Sequence, residues 1–398
     1  MLKKIGPGLL VAAAFIGPGT VTLCTLAGVA FGYELLWAIL LSVLATLVLQ
    51  EMSARLGLVT RKGLAESILL TIKTPWKKFL ILGLVLAAIV IGNTAYEAGN
   101  IGGATLGLEA LFGEQYRSWY AWIIGILAFI LLFRGSYKLL EKVFISLVLL
   151  MSISFLLTAI ITKPDIMGML KGLFIPKLPE TSILTVIGLI GTTVVPYNLF
   201  LHANLVREKW QNKEDLPLVR RDTLVSIGLG GFISMAIIVT AVAIPGEQIT
   251  GALDLARGLE PLYGNAARYF MGIGLFAAGV TSAITAPLAA AYVARSCFGW
   301  PANLKEYRFR MVWMVILFFG VVSLSFDVKP IEVIKFAQVT NGLLLPVVAA
   351  LMLWILNQSN LLGRYTNRRW QNLIAILIII IVSLLGIKSI LGVFGIIG

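Results

Sequence analysis

Long apolar stretches, in which charged side chains are rare, constrain this chain more than any other feature. The first runs uncharged from Ile5 to Tyr33. Eleven can be read between charged loops, near 5–31, 35–56, 79–111, 118–134, 139–162, 181–207, 222–245, 267–294, 309–326, 332–356 and 371–396. A helix needs about 20 such residues to cross the hydrocarbon of a bilayer. The stretches lack the two-residue alternation of a membrane barrel, so the spans are helices, which satisfy their own backbone in lipid. Composition agrees: 59% of residues are apolar and 13% charged, whereas a soluble chain carries about 25% charged residues. The expected class is an all-α integral membrane protein with eleven transmembrane helices and no soluble domain.

The net charge of +13 would suggest a nucleic-acid partner in a soluble protein. Here the cations sit in short loops, and their partner is the lipid bilayer. With the N-terminus inside, 23 of the 32 Lys and Arg residues fall on the inner side, as the positive-inside rule requires. The reading is a multi-pass plasma-membrane protein with a cytoplasmic N-terminus and an extracytoplasmic C-terminus. Lys3 and Lys4 before an apolar run imitate a signal peptide, but the run is too long and has no clear cleavage signal, so it is read as the first span. The longest loops are expected at 57–78, 163–180 and 246–266. Cys24 and Cys297 lie in apolar stretches and read as buried free thiols. No cofactor is expected, and no nucleophile–base pair suggests an enzyme. Oligomeric state is not readable.

Two spans carry helix breakers at mid-depth. Span 1 reads Ala14-Phe15-Ile16-Gly17-Pro18-Gly19-Thr20, and span 6 reads Thr192-Thr193-Val194-Val195-Pro196-Tyr197-Asn198. Proline removes a backbone donor and clashes with the preceding turn. One such residue ordinarily means a kink. Two are more informative, because spans 1 and 6 each begin a five-helix unit. Five is odd, so the second unit lies upside down relative to the first. The expected organisation is a 5+5 inverted repeat, 1–162 and 181–356, with an additional helix in 371–398. Inverted repeats with broken helices near the midplane are the mark of a secondary transporter's binding site. Breaks at Gly17–Thr20 and Val194–Asn198 would expose backbone amides and carbonyls where only a cavity makes that tolerable.

In these motifs the chain resembles the Nramp family of divalent-metal transporters. The resemblance covers most of the chain. It runs from Gly6-Pro7-Gly8 through Leu36-Trp37, Ala54-Arg55-Leu56-Gly57-Leu58-Val59-Thr60 and Leu111-Phe112-Gly113, and on to Pro196-Tyr197-Asn198-Leu199-Phe200-Leu201-His202, Gln338 and Pro346. It implies the LeuT-type fold, alternating access, a transported divalent ion and symport with protons. The departures fall at the ion site. The family has Asp-Pro-Gly-Asn in span 1, where this chain has Gly17-Pro18-Gly19-Thr20. It has Met-Pro-His in span 6, where this chain has Val195-Pro196-Tyr197. By position, the resemblance leaves the carbonyls of Ala14 and Thr192 facing the site, together with Thr20, Tyr197, Asn198 and Gln338. The metal positions that remain are Gly17, Thr20 and Gln338. The family's acidic pair in span 3 falls on Glu97, retained, and Asn100, neutral.

Transition metals favour deprotonated or soft ligands, and this set is neutral and hard. Dehydrated Mn²⁺ or Fe²⁺ is therefore a poor cargo. A hydrated hard cation such as Mg²⁺, which keeps several of its waters, and a small organic solute such as an amino acid both stay open. Glu97 is the only acid at mid-depth in any span, and an intramembrane carboxylate is a candidate proton carrier; the alternative is a structural Glu bonded between helices. His202, the only histidine, titrates near neutrality when free. It reads either as part of a proton path or as locally satisfied. Gln338 and Asn341 are gate residues or interhelical glue. The glycine-rich runs at 99–107 and 228–231 read as close helix packing.

Overall fold

The computed structural model describes residues 16–135, 138–244, 249–300, 303–326 and 328–393, and every regular element among them is helical. The principal helices are α1 (Pro18–Phe31), α2 (Leu36–Thr60), α3 (Pro75–Phe112), α4 (Arg117–Arg134), α5 (Lys138–Ile161), α6 (Ile183–Thr193), α7 (Pro196–Lys209), α8 (Leu216–Val242), α9 (Ala267–Phe298), α10 (Tyr307–Ser323), α11 (Pro330–Leu356) and α12 (Arg369–Val393). With α6 and α7 taken as one span, nine spans among the described residues are long and apolar enough to cross a membrane. The other two expected spans are α1, with 14 described residues, and α10, with 17.

The outer surface is what a lipid solvent demands. Trp119, Trp122, Ile123 and Ile126 of α4 are exposed, while Ala121, Ile124 and Ala128 on its other side are buried. The bundle centres on α3, which packs against α9, α10 and α11. α1 and α8 pack together, as do α6 and α11, and α7 and α2.

The span-6 break exists and is shorter than expected; of span 1 the description begins at Ile16, so only the helical side of its expected break is seen. α1 already begins at Pro18, so Pro18, Gly19 and Thr20 are helical, and the described residues before them, Ile16 and Gly17, are not. α6 ends at Thr193, Val194 and Val195 are non-helical with Val195 extended, and α7 begins at Pro196, so Tyr197 and Asn198 are helical too. The physical reason is the same in both. Proline at the first helical position lacks only an N–H that would have no partner there, and its fixed φ suits the helix. Each proline therefore opens a new half-helix rather than lying within the gap. Ala14 lies outside the described residues.

The long loops are also corrected. The segment 57–78 contains the end of α2, a helix Leu64–Thr71 and the start of α3. The segment 163–180 holds a helix Ile166–Phe174, capped by Asp165, whose Oδ1 accepts from the Met167 N–H at 3.0 Å. The segment 246–266 holds short turns from Ala252, where Asp254 accepts from the Thr250 and Gly251 N–H groups. Asp165 satisfies an otherwise unpaired N–H in the first turn of its helix, and Asp254 reaches back to the two N–H groups just before its own helix.

α3 is interrupted by a π-helical turn at Ala87–Ile91. It widens the helix just before Asn93, whose Nδ2 donates to the Ala286 carbonyl of α9 at 2.9 Å. Such turns re-aim the side chains that follow, here Tyr96 and Glu97.

Candidate functional site

The two breaks meet. Thr20, in the first turn of α1, and Thr192, in the last turn of α6, share a hydroxyl–hydroxyl hydrogen bond of 2.8 Å. The Gln338 side chain of α11 lies flat on Gly19, at a spot where any β-carbon would collide with it. The Gln338 carbonyl presses equally closely on Gly191 of α6. Pro18 seats against Gly103 of α3, closing the third wall. On α7, the Tyr197 ring meets Tyr96 of α3 edge to face, with centroids 5.5 Å apart.

Every described residue of the expected substrate site is buried in this cluster: Gly17, Thr20, Thr192, Val195, Tyr197, Asn198 and Gln338. The geometry directly joins Thr20 to Thr192, and Gln338 packs on their chain neighbours Gly19 and Gly191. Val195 and Gly17 serve as the residues before the two prolines and present no ligating side chain. The polar content is two hydroxyls, a phenol and two carboxamides, with no charge. Two of its oxygens, Asn198 Oδ1 and Gln338 Oε1, have no hydrogen-bond partner among the described residues. A buried acceptor left without a donor costs about 1–3 kcal/mol. Two such acceptors, one in the first turn of α7 beside its break and one on α11 against Gly19, are open to donors. One turn beyond Gln338, Asn341 is buried with its Nδ2 also unpartnered. No group of three or more His, Cys, Asp or Glu side chains among the described residues is arranged to hold a metal ion.

Glu97 is fully buried, and its Oε2 accepts from Asn100 Nδ2 at 3.3 Å. Its stem lies on Gly320 of α10, so it does not open directly onto the breaks. Tyr96, its chain neighbour, is the residue that reaches Tyr197. Oε1 has no partner. The resemblance placed Glu97 and Asn100 together, and they do form a pair. His202 is equally buried, one turn and a half along α7. Its Nδ1 bonds the Gln50 Oε1 of α2 at 2.8 Å. An amide oxygen can only accept, so Nδ1 carries the proton and Nε2, which has no partner, is left with a lone pair. His202 does not touch the Thr20–Thr192 pair.

Two participants escaped the reading of the sequence. Tyr96 was overshadowed by the charge beside it. Gln50 sits in an apolar span without a breaker and becomes visible only as the partner of the sole histidine.

Residues 8–392 match the family described as natural resistance-associated macrophage protein-like. The chain is 30% identical over 405 residues to a divalent metal cation transporter MntH of Klebsiella pneumoniae, covering 98% of this chain and 95% of the relative. Its structure is similar to that of a manganese transporter of Eremococcus coleocola, with a TM-score of 0.79 at 22% identity over 98% of this chain and 86% of that one. It is also similar to MhsT, solved in complex with L-phenylalanine, with a TM-score of 0.58 at 16% identity over 97% of this chain and 98% of that one. The shared fold is of the LeuT type expected. A family match over residues 8–392, on a multi-pass helical bundle in which both prolines that carried the resemblance open a helix, places this chain in the Nramp family, which consists of membrane transporters and not of enzymes.

Proposed function

We propose that the protein is a secondary transporter working by alternating access, whose cargo is a hard divalent cation carried with much of its water, Mg²⁺ before Mn²⁺ or Fe²⁺. Family membership and the name of the Klebsiella relative support a divalent cation. The observation that carries the refinement is the pair of unpartnered buried oxygens, Asn198 Oδ1 and Gln338 Oε1, beside the Thr20 and Thr192 hydroxyls. Waters around a cation point their protons outward, so such oxygens suit a hydrated ion. A bare transition metal needs anionic or soft ligands to replace its hydration, and none is present at Gly17, Thr20, Val195 or Tyr197. Mg²⁺ sheds water reluctantly and needs few protein ligands.

The halves 1–162 and 181–356 are the two units of an inverted repeat in this reading, and they rock about the paired breaks, with 371–398 outside them. The N-terminus is cytoplasmic, on the side of the Lys and Arg excess. Glu97, with Asn100, is the proton carrier, reached through Tyr96 and Tyr197, and His202 with Gln50 belongs to the same path on the α7 side. A proton taken by Glu97 neutralises the only charge at that depth.

A second reading, a small organic solute, draws on the Tyr96–Tyr197 edge and on the amino acid held by MhsT on the same fold. The open half-helix end at Gly17–Thr20 would receive its carboxylate. Calorimetry on the purified protein separates the two. Saturable heat with Mg²⁺ and none with micromolar Mn²⁺ or a panel of amino acids is expected; heat from an amino acid alone would replace the first reading by the second.

A further inference from the structure

We infer that the protein carries a specific site for an anionic phospholipid where the first turns of α8 and α12 meet the middle of α2, away from the transport site. A crevice of about 310 Å³ opens there, lined by Leu47, Val48, Glu51, Arg220, Leu224, Arg368 and Trp370 among others. Its two ends differ in chemistry. One end is cationic. Arg55 is consumed within the protein: it donates to the Tyr365 carbonyl and to Asn367 Oδ1, both at 2.6 Å, and pairs with Glu51 at 3.1 Å. Glu51 is also taken by Arg220 Nε at 2.8 Å and by Gln371 Nε2 at 3.2 Å. One carboxylate thus pairs with two guanidinium groups, those of Arg55 and Arg220, and Arg368 lines the same crevice. The terminal nitrogens of Arg220 and the whole Arg368 guanidinium make no hydrogen bond or ion pair among the described residues.

The other end is apolar and faces lipid. Leu224 is 59% exposed, and Leu47 and Val48 are half-buried beside it. Trp370, 52% exposed, stands at the level of the arginines, as tryptophans do at a membrane interface. A soluble anion would use the arginines and leave the apolar wall uncovered. A phospholipid fills both: its phosphate bridges Arg220 and Arg368 in the forked geometry guanidinium groups favour, and its acyl chain lies along Leu47, Val48 and Leu224. The excess of two positive charges selects an anionic headgroup over a zwitterionic one. Basic pockets between membrane helices on the Lys- and Arg-rich side bind such lipids. The occupant also explains the polar tether beneath it. Arg55, Glu51 and Gln371 tie α12, which lies outside the two five-helix units, to α2. A lipid across α8 and α12 completes that tie from the outside.

The test uses the full protein in mild detergent, by native mass spectrometry and thermal unfolding. Phosphatidylglycerol, phosphatidylcholine with the same chains, and inorganic phosphate are added in parallel. Phosphatidylglycerol should stay bound at one per protein and raise the melting temperature, and the other two should do neither. Arg368→Gln, which breaks no bond within the protein, should weaken retention about fivefold, the loss expected for one basic contact with an anionic lipid surface. Leu224→Glu should weaken it as well, while Arg368→Lys should keep most of it. Arg268→Gln, stacked on Tyr269 elsewhere on the molecule, should change nothing. Equal retention of phosphatidylcholine, an equal shift with inorganic phosphate, or unchanged retention in Arg368→Gln and Leu224→Glu would overturn the site.

Discussion

Gly191→Ala tests whether the site depends on helix approach rather than on its polar groups alone. Gly191 stands in the last turn of α6, directly before Thr192. A β-carbon built there would lie 2.6 Å from the Gly342 nitrogen of α11 and closer still to the Gln338 carbonyl oxygen. Ordinary contact begins at 3.4 Å, so α6 and α11 must part by more than the 0.8 Å between 2.6 and 3.4 Å, because the carbonyl oxygen is nearer than the nitrogen. The obstacles are backbone atoms of a continuous helix, which cannot rotate aside as a side chain can. Overpacking of this kind costs about 1–3 kcal/mol, and the upper half of that range applies here because the whole helix must shift. The same displacement carries Gln338 away from Gly19 and Thr192 away from Thr20, so transport should fall further than stability. Gly228→Ala on α8 is the control: nothing lies within 4 Å of its added carbon, and alanine favours a helix by about 1 kcal/mol over glycine. Tryptophan-fluorescence melting and liposome uptake read both variants. A Gly191→Ala protein with the melting temperature and uptake of the parent would refute the claim that this contact sets the site.

Glu97→Gln keeps the shape and the Asn100 contact while removing the charge; it should leave folding and cargo binding nearly intact and abolish pH-driven uptake, and unchanged proton-coupled uptake would make Glu97 structural. Thr20→Val with Thr192→Val removes a buried hydroxyl pair together, so stability should change by less than about 1.5 kcal/mol while calorimetric Mg²⁺ affinity falls; unaltered affinity would exclude these hydroxyls from the site. Arg55→Met leaves Glu51 without its buried partner and should destabilise by about 3–5 kcal/mol, read as a large drop in melting temperature; a drop of a degree or two would show that Arg220 and Gln371 suffice for Glu51.

The chain displays its architecture openly because the bilayer imposes a single rule, and long apolar stretches obey it. The helix breaks were legible for a related reason, since Pro18 and Pro196 cannot donate within a helix. Their extent was not legible. Proline both ends one helix and suits the first position of the next, and only the structure shows that Thr20, Tyr197 and Asn198 fall on the helical side. The short helices at Leu64–Thr71 and Ile166–Phe174 were missed because charged and polar residues beside an apolar stretch read as loop. Depth was legible for Glu97, but direction was not. Which way a side chain points around α3 depends on the π-helical turn at Ala87–Ile91 and on the gap left by Gly320, neither of which leaves a clear trace in the sequence. The proposed cargo rests on Gly17 and Val195, because in that reading they stand where the family it resembles has an anionic and a soft ligand.

Uptake into proteoliposomes, with Mn²⁺ and Mg²⁺ compared in the same preparation, tests the cargo most directly. The parent protein should take up Mg²⁺ and little Mn²⁺. A variant combining Gly17→Asp, Thr20→Asn, Val195→Met and Tyr197→His restores the anionic and soft ligands of the family pattern and should gain Mn²⁺ uptake. Saturable uptake of micromolar Mn²⁺ by the parent, unimproved in the variant, would contradict a neutral site built for a hydrated ion.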